Sequence, residues 1–152
     1  MKHAGGCLCG NVRFDAEGEP SRVGLCHCRY CQLRTGSTFG ISVYFPEDAV
    51  TDPSGELETY ALETENGNNL RIKRCENCGT SVFWQSDSEA YAGMTGIAGG
   101  CFDPPTFWYD ITREVFTRSK ADFCTINAPA THETHPVYAP KSRDDPRLSG
   151  GS

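Results

Sequence analysis

A chain of 152 residues that is 38% hydrophobic and 11% aromatic has enough apolar material for one domain with its own core, which argues against a disordered chain. Its net charge of −6, with no basic run beyond Arg71, Lys73 and Arg74, argues against nucleic acid as the main partner. Residues 1–6 contain no apolar signal segment and no stretch approaches the ~20 apolar residues of a membrane span, so the expected setting is cytoplasmic.

In chain order, Val12, Phe14 and Ala16 alternate with Asn11, Arg13 and Asp15, as in a half-buried strand. Residues 29–34 suit a single helical turn ended by Gly36. Phe39, Ile41, Val43 and Phe45 form the clearest period-two run, and residues 46–49 suit a second short turn. Asn66-Gly67 predicts a hairpin between residues 56–63 and 70–74, because both residues tolerate positive φ. Val82-Phe83-Trp84 reads as a buried strand, and Phe107, Tyr109 and Ile111 as a further alternating one. The fold class is therefore mainly β. A single domain is expected over residues 1–138, followed by a polar, mobile tail over 139–152.

The nine cysteines carry the chemistry. Seven of them fall in Cys7-Leu8-Cys9, Cys26-His27-Cys28-Arg29-Tyr30-Cys31 and Cys75-Glu76-Asn77-Cys78. In a reducing compartment such spacings mark metal sites, since a tight turn or two same-face strand positions aim both thiolates at one ion. Zinc takes four tetrahedral ligands, and the natural partition is four plus three: a closed structural site and a site with one open position. Spacing does not say which pair closes which site. Cys101 and Cys124 have no partner at ligand spacing and read as small buried residues. A thioredoxin-type C-x-x-C would need a βαβ context, which the strand-rich pattern does not offer.

These motifs, in this order, resemble the glutathione-dependent formaldehyde-activating enzyme family, which also includes centromere protein V. The resemblance runs over about residues 4–118 and rests on Cys-Leu-Cys-Gly, on Cys-His-Cys-x-x-Cys with Gly36, and on Cys-x-x-Cys-Gly-Thr at 75–80, with Asp103-Pro104 in support. It implies an Mss4-like fold of folded β-sheets with two zinc ions per chain. It also implies the pairing: Cys7, Cys9, Cys75 and Cys78 for the structural zinc, and Cys26, Cys28 and Cys31 for the catalytic one. The implied activity is that of a carbon–sulfur lyase resembling S-(hydroxymethyl)glutathione synthase, with a small-molecule thiol such as glutathione and an aldehyde as partners. The chain departs from the family pattern at Arg74, at Asp110-Ile111 and at Phe123, all outside the metal ligands.

Around the open site, Arg29 and Arg34 are candidate partners for a substrate carboxylate. His27 is a candidate proton shuttle, although a residue between two ligands is expected to point away from them as a spacer. His132-Glu133-Thr134-His135 lacks the metalloprotease spacing and reads as loop. Gly93, Gly96, Gly99 and Gly100 lack a dinucleotide-binding context and suit a bulge or bend. Two other functions fit the cysteine pattern. One is a non-catalytic zinc module for protein or nucleic-acid interaction. The other is a zinc-dependent reductase like methionine sulfoxide reductase B, which would need a low-pKa thiol at Cys101 or Cys124.

Overall fold

Period-two alternation decides which face of each strand meets the core, and the fold uses both faces of one large sheet. The computed structural model describes residues 1–140, 147, 148 and 151. Most of the expected mobile tail lies outside the described residues. Strands β1 (Lys2–Gly6) and β2 (Arg13–Glu17) pair antiparallel as a small sheet of their own. The large sheet comprises β3 (Arg22–Cys26), β4 (Gly40–Pro46), β5 (Leu57–Glu63), β6 (Asn69–Cys75), β7 (Ser81–Ser86), β8 (Met94–Ala98) and β9 (Arg113–Val115). Its seven strands run in the order β5-β6-β7-β8-β4-β3-β9, antiparallel except for the β3–β9 pair.

One face of the large sheet packs against β2. The cross-strand row Val23–Val43–Ile97–Phe83 meets Val12, Phe14 and Ala16, all of them buried, with Phe45 and Phe102 beside them. A fully buried side chain of this size contributes roughly 1.5–3 kcal/mol. The register that puts these residues inward turns Gly24, Ser42, Tyr44 and Trp84 to the opposite face, where the candidate site lies.

The 66–67 hairpin forms as the turn residues dictate. Thr64 N–H donates to the Asn68 carbonyl at 2.8 Å, and Gly67 adopts φ +80°. The short helix α1 (Arg29–Thr35) starts at Cys28 and ends at Gly36, which takes the left-handed conformation (φ 63°) that favours glycine. Residues 47–49 form a 3-10 turn.

The strand expected around Phe107, Tyr109 and Ile111 does not form; this stretch is irregular and pairs with no strand. The aromatic residues there pack one at a time. Trp108 stacks on His3 with centroids 3.5 Å apart, Tyr109 packs edge-on to Phe102, and Phe107 is exposed. Of the glycines after residue 92, Gly93 takes a positive φ in the turn before β8, and Gly99 opens a 3-10 turn. Gly96 has a different role from the expected bend. It lies within β8, where a Cβ would run into the Trp84 indole.

Candidate metal centres and the pocket beside the second cluster

The first cysteine cluster joins two turns. The β1–β2 loop brings Cys7 and Cys9, and the β6–β7 turn brings Cys75 and Cys78; their four sulfurs all lie within 4.8 Å of one another. Cys7 and Cys9 sulfurs are 3.5 Å apart and those of Cys9 and Cys75 3.7 Å. Zn–S bonds of about 2.3 Å in a tetrahedron give sulfur–sulfur edges of ~3.8 Å, so these separations fit zinc. Val12 N–H donates to Cys7 Sγ at 3.2 Å, and Thr80 bonds to Cys78 Sγ at 3.2 Å. Hydrogen bonding from Thr80 leads the causes that bring the Cys78 thiol down to about 5. Four sulfurs are enough for the protein alone to complete a tetrahedral set around one ion.

The second cluster is built at the entrance to α1. Cys26 ends β3, Cys28 caps the helix and Cys31 lies in its first turn, and their sulfurs again lie within 4.8 Å of one another. Backbone N–H groups of Cys28 and Cys31 donate to the sulfurs of Cys26 and Cys28 at 3.4 Å each. Hydrogen bonds from Cys26 and Cys28 hold the Cys31 thiol well below its usual range, with Arg34 adding to the effect. The same crowding, with burial, pushes Cys26 well above its own. Three clustered sulfurs, Cys28 buried and Cys26 and Cys31 half-buried, that oppose one another's ionisation fit a divalent cation, which would remove the conflict. Among the described residues no fourth Cys, His, Asp or Glu joins them. Cys124 Sγ bonds instead to Thr38 at 3.6 Å. Burial raises the Cys101 thiol to about 11, the opposite of what a reductase nucleophile needs.

Arg34 is the charged neighbour of this cluster. Its Nη2 lies 3.6 Å from Cys31 Sγ, and its guanidinium lies 3.4 Å from the centroid of the Trp84 ring. Gly40 faces α1 here, and a Cβ at this position would press on the end of the Arg34 side chain. Arg29 is placed elsewhere. Its Nε donates to the Arg147 carbonyl at 2.7 Å and it does not line the pocket.

His27 points away from the cluster, but into the protein and not into solvent. It is fully buried, with Nε2 2.7 Å from Glu114 Oε1, and Lys120 Nζ reaches the same oxygen at 2.7 Å. Parallel pairing of Leu25 with Glu114 places this network behind β3, on the face opposite Cys26.

A pocket of about 570 Å³ opens over the second cluster and the free face of the large sheet. Tyr44, Trp84, Tyr91 and Tyr138 form aromatic walls, and Arg113 and His135 lie among the lining residues. His135 stacks on Tyr138 with centroids 4.0 Å apart. Its Nδ1 accepts from Val137 N–H at 3.1 Å, which leaves the proton on Nε2, facing Tyr91 Oη at 2.8 Å. Burial, with the nearby Arg113 and Arg22 charges, lowers the His135 pKa to about 3. A depressed folded-state pKa contributes stability that is present above the unfolded value of ~6.5 and is lost as pH falls toward the folded one. Wild type should therefore lose more stability than His135→Gln between pH 7 and pH 5, measured by urea unfolding at each pH. Equal losses would contradict a buried neutral His135.

The fold and the paired thiol clusters define a mainly β protein able to hold two metal ions. Residues 2–119 match the family of the glutathione-dependent formaldehyde-activating enzyme, and the chain belongs to that family. Its fold is accordingly Mss4-like. A crystal structure of a Rhodobacter sphaeroides protein is similar at 20% identity, covering 72% of this chain and 96% of that one with a TM-score of 0.52, a likeness of fold. No helix among the described residues is long and apolar enough to cross a membrane.

The sequence reading did not single out Arg113, which stands in no motif, and it read His135 only as part of a loop. The position opposite Gly24 that makes Arg113 part of the pocket exists only once β9 has paired with β3.

Proposed function

We propose that the chain is a carbon–sulfur lyase that joins a small-molecule thiol to an aldehyde, or releases them, at the Cys26–Cys28–Cys31 cluster. The family name supplies glutathione and formaldehyde as the first pair to test. The carrying observation is a cluster of three sulfurs with no fourth protein ligand among the described residues, opening into a pocket large enough for a small molecule. In the net reaction a thiol and formaldehyde become an S-hydroxymethyl thioether, with the thiol proton transferred to the new alkoxide oxygen.

A zinc ion held by Cys26, Cys28 and Cys31 would supply a fourth position for the thiol as thiolate and a Lewis acid for the aldehyde oxygen. The chain's own residues do the remaining work. Three cysteine thiolates and a substrate thiolate together outweigh the charge of a divalent ion. Arg34 sits where it offsets that excess, and Trp84 fixes its guanidinium. The aromatic walls flank the approach to the cluster and reduce the contact of the reacting atoms with solvent. Ionisation alone is a small part of the rate. A free thiol of pKa ~8.5 is about 3% thiolate at pH 7, so full ionisation gains at most roughly 30-fold. Lowered nucleophilicity takes back roughly tenfold of that. Positioning in the pocket therefore carries more of the acceleration than ionisation does. A cytoplasmic setting, where thiols stay reduced, suits the reading.

Exchange NMR with carbon-13 formaldehyde and glutathione tests the proposal. Zinc-loaded protein at catalytic concentration should speed exchange between free formaldehyde and S-hydroxymethylglutathione, and Cys28→Ser should return the rate to background. No acceleration with glutathione or with any other thiol would leave the non-catalytic zinc module as the reading.

A further inference from the structure

The pocket face of the large sheet has a floor, walls and a charged end. Cross-strand pairing sets Arg113, Gly24, Ser42 and Ala98 in one row. At its centre Gly24 leaves the floor bare, for a Cβ there would meet nothing within 4 Å. Tyr44 stands on this face and stacks on Tyr91 with centroids 5.0 Å apart, so the space above the floor is bounded by flat aromatic surface. Cys26 lies on the same face as Gly24, two residues along β3. The floor thus runs from the sulfur cluster to Arg113, a strand advance of about 7 Å.

At the far end, Arg113 Nη2 lies 3.2 Å from Tyr91 Oη, but its Nε is buried without a hydrogen-bond partner. No carboxylate among the described residues pairs with Arg113. Ser88, which also lines the pocket and is 7% exposed, has an Oγ with no partner. Arg22 adds positive charge nearby, its guanidinium 5.5 Å from the Tyr91 ring centroid. Among the described pocket residues Glu63 is the only carboxylate. A half-buried guanidinium that meets only Tyr91 Oη and His135 Nε2, with its Nε buried and unpartnered and no carboxylate beside it among the described residues, and a buried Ser88 hydroxyl without a partner in the same pocket call for an anion from the ligand. The aromatic surface of Tyr44 and Tyr91 and the bare floor at Gly24 favour a flat apolar body in this part of the pocket.

We propose that the pocket is built for a thiol with an aromatic body and a carboxylate at its far end, the carboxylate pairing with Arg113, in preference to a peptide thiol. The proposal rests on the thiol chemistry assigned above to the Cys26–Cys28–Cys31 cluster, and narrows its substrate class.

Two measurements test it. In cobalt-loaded protein, cobalt–thiolate absorbance is titrated with 4-(mercaptomethyl)benzoate, phenylmethanethiol and glutathione. The first should bind at least about tenfold more tightly than either of the others, the size of one charge-assisted hydrogen bond. Arg113→Met should erase its advantage over phenylmethanethiol, and Gly24→Leu should weaken both aromatic thiols. Glutathione binding as tightly as the aromatic acid, or no benefit from the carboxylate in wild type, would overturn the proposal whether or not the variants fold. In the second measurement 4-methylbenzoate, which has no thiol, is titrated into zinc-loaded protein by intrinsic fluorescence. It should bind wild type and compete with the aromatic thiol. If no thiol changes the cobalt spectrum, the assigned thiol chemistry fails. The 4-methylbenzoate result then decides the anion end by itself: binding upholds it and no binding overturns it.

Discussion

Cys78→Ser should yield insoluble or molten protein. Its cluster ties the β1–β2 loop to the β6–β7 turn, linking the small sheet to the large one across 66 residues of sequence between Cys9 and Cys75. A structural zinc site is worth roughly 10–16 kcal/mol apparent, comparable with the ~5–15 kcal/mol total stability of a domain. Cys75 also lies buried in the main core beside Cys7, so loss of the ion would leave polar thiols among Phe14, Val82 and Phe83. Circular dichroism, near-ultraviolet bands and solubility measure the outcome. A soluble Cys78→Ser protein with the wild-type melting temperature would refute the structural assignment of this cluster.

Cys28→Ser should have the opposite profile: a folded chain that has lost one equivalent of zinc and all exchange activity. The second cluster packs against only a small group, Val115, Phe116 and their neighbours, away from the main core. With three protein ligands it should also release its ion first, so mild chelation of wild type should remove about one equivalent and leave the strand content intact. Inductively coupled plasma mass spectrometry gives the metal count and circular dichroism the fold. If Cys28→Ser retains both equivalents, or unfolds as Cys78→Ser does, the division into a closed and an open site is wrong.

What the sequence made legible follows the range of the interactions. The strands at 12–16 and 39–45 could be read because burial on one face imposes period two locally. The two sulfur clusters could be read because a shared ion would fix the spacing of neighbouring cysteines, and the structure brings the same seven together. Neither signal exists for contacts that the topology creates. His27 was expected to point away from the metal, but only the parallel pairing of β3 with β9 shows that away means into the core, against Glu114. Arg29 and Arg34 looked equivalent as carboxylate partners. They are five residues apart on a helix of 3.6 residues per turn, about 140° around its axis, so one face could not hold both. Arg34 meets Cys31 and Trp84, while Arg29 turns to the Arg147 carbonyl. The strand at 107–111 failed because alternation signals an amphipathic surface without ensuring a neighbouring strand, and the aromatic residues there found separate partners.

Zinc K-edge X-ray absorption tests the central claim, that one metal site is closed by protein sulfur and the other is left open for a thiol. Clusters of four and three sulfurs average to 3.5 sulfurs per zinc, (4 + 3)/2, with the balance from a lighter atom. Saturation with a small-molecule thiol should raise the average to four and remove the lighter-atom shell. Four sulfurs per zinc before any thiol is added, or an average that does not change with thiol, would contradict the account.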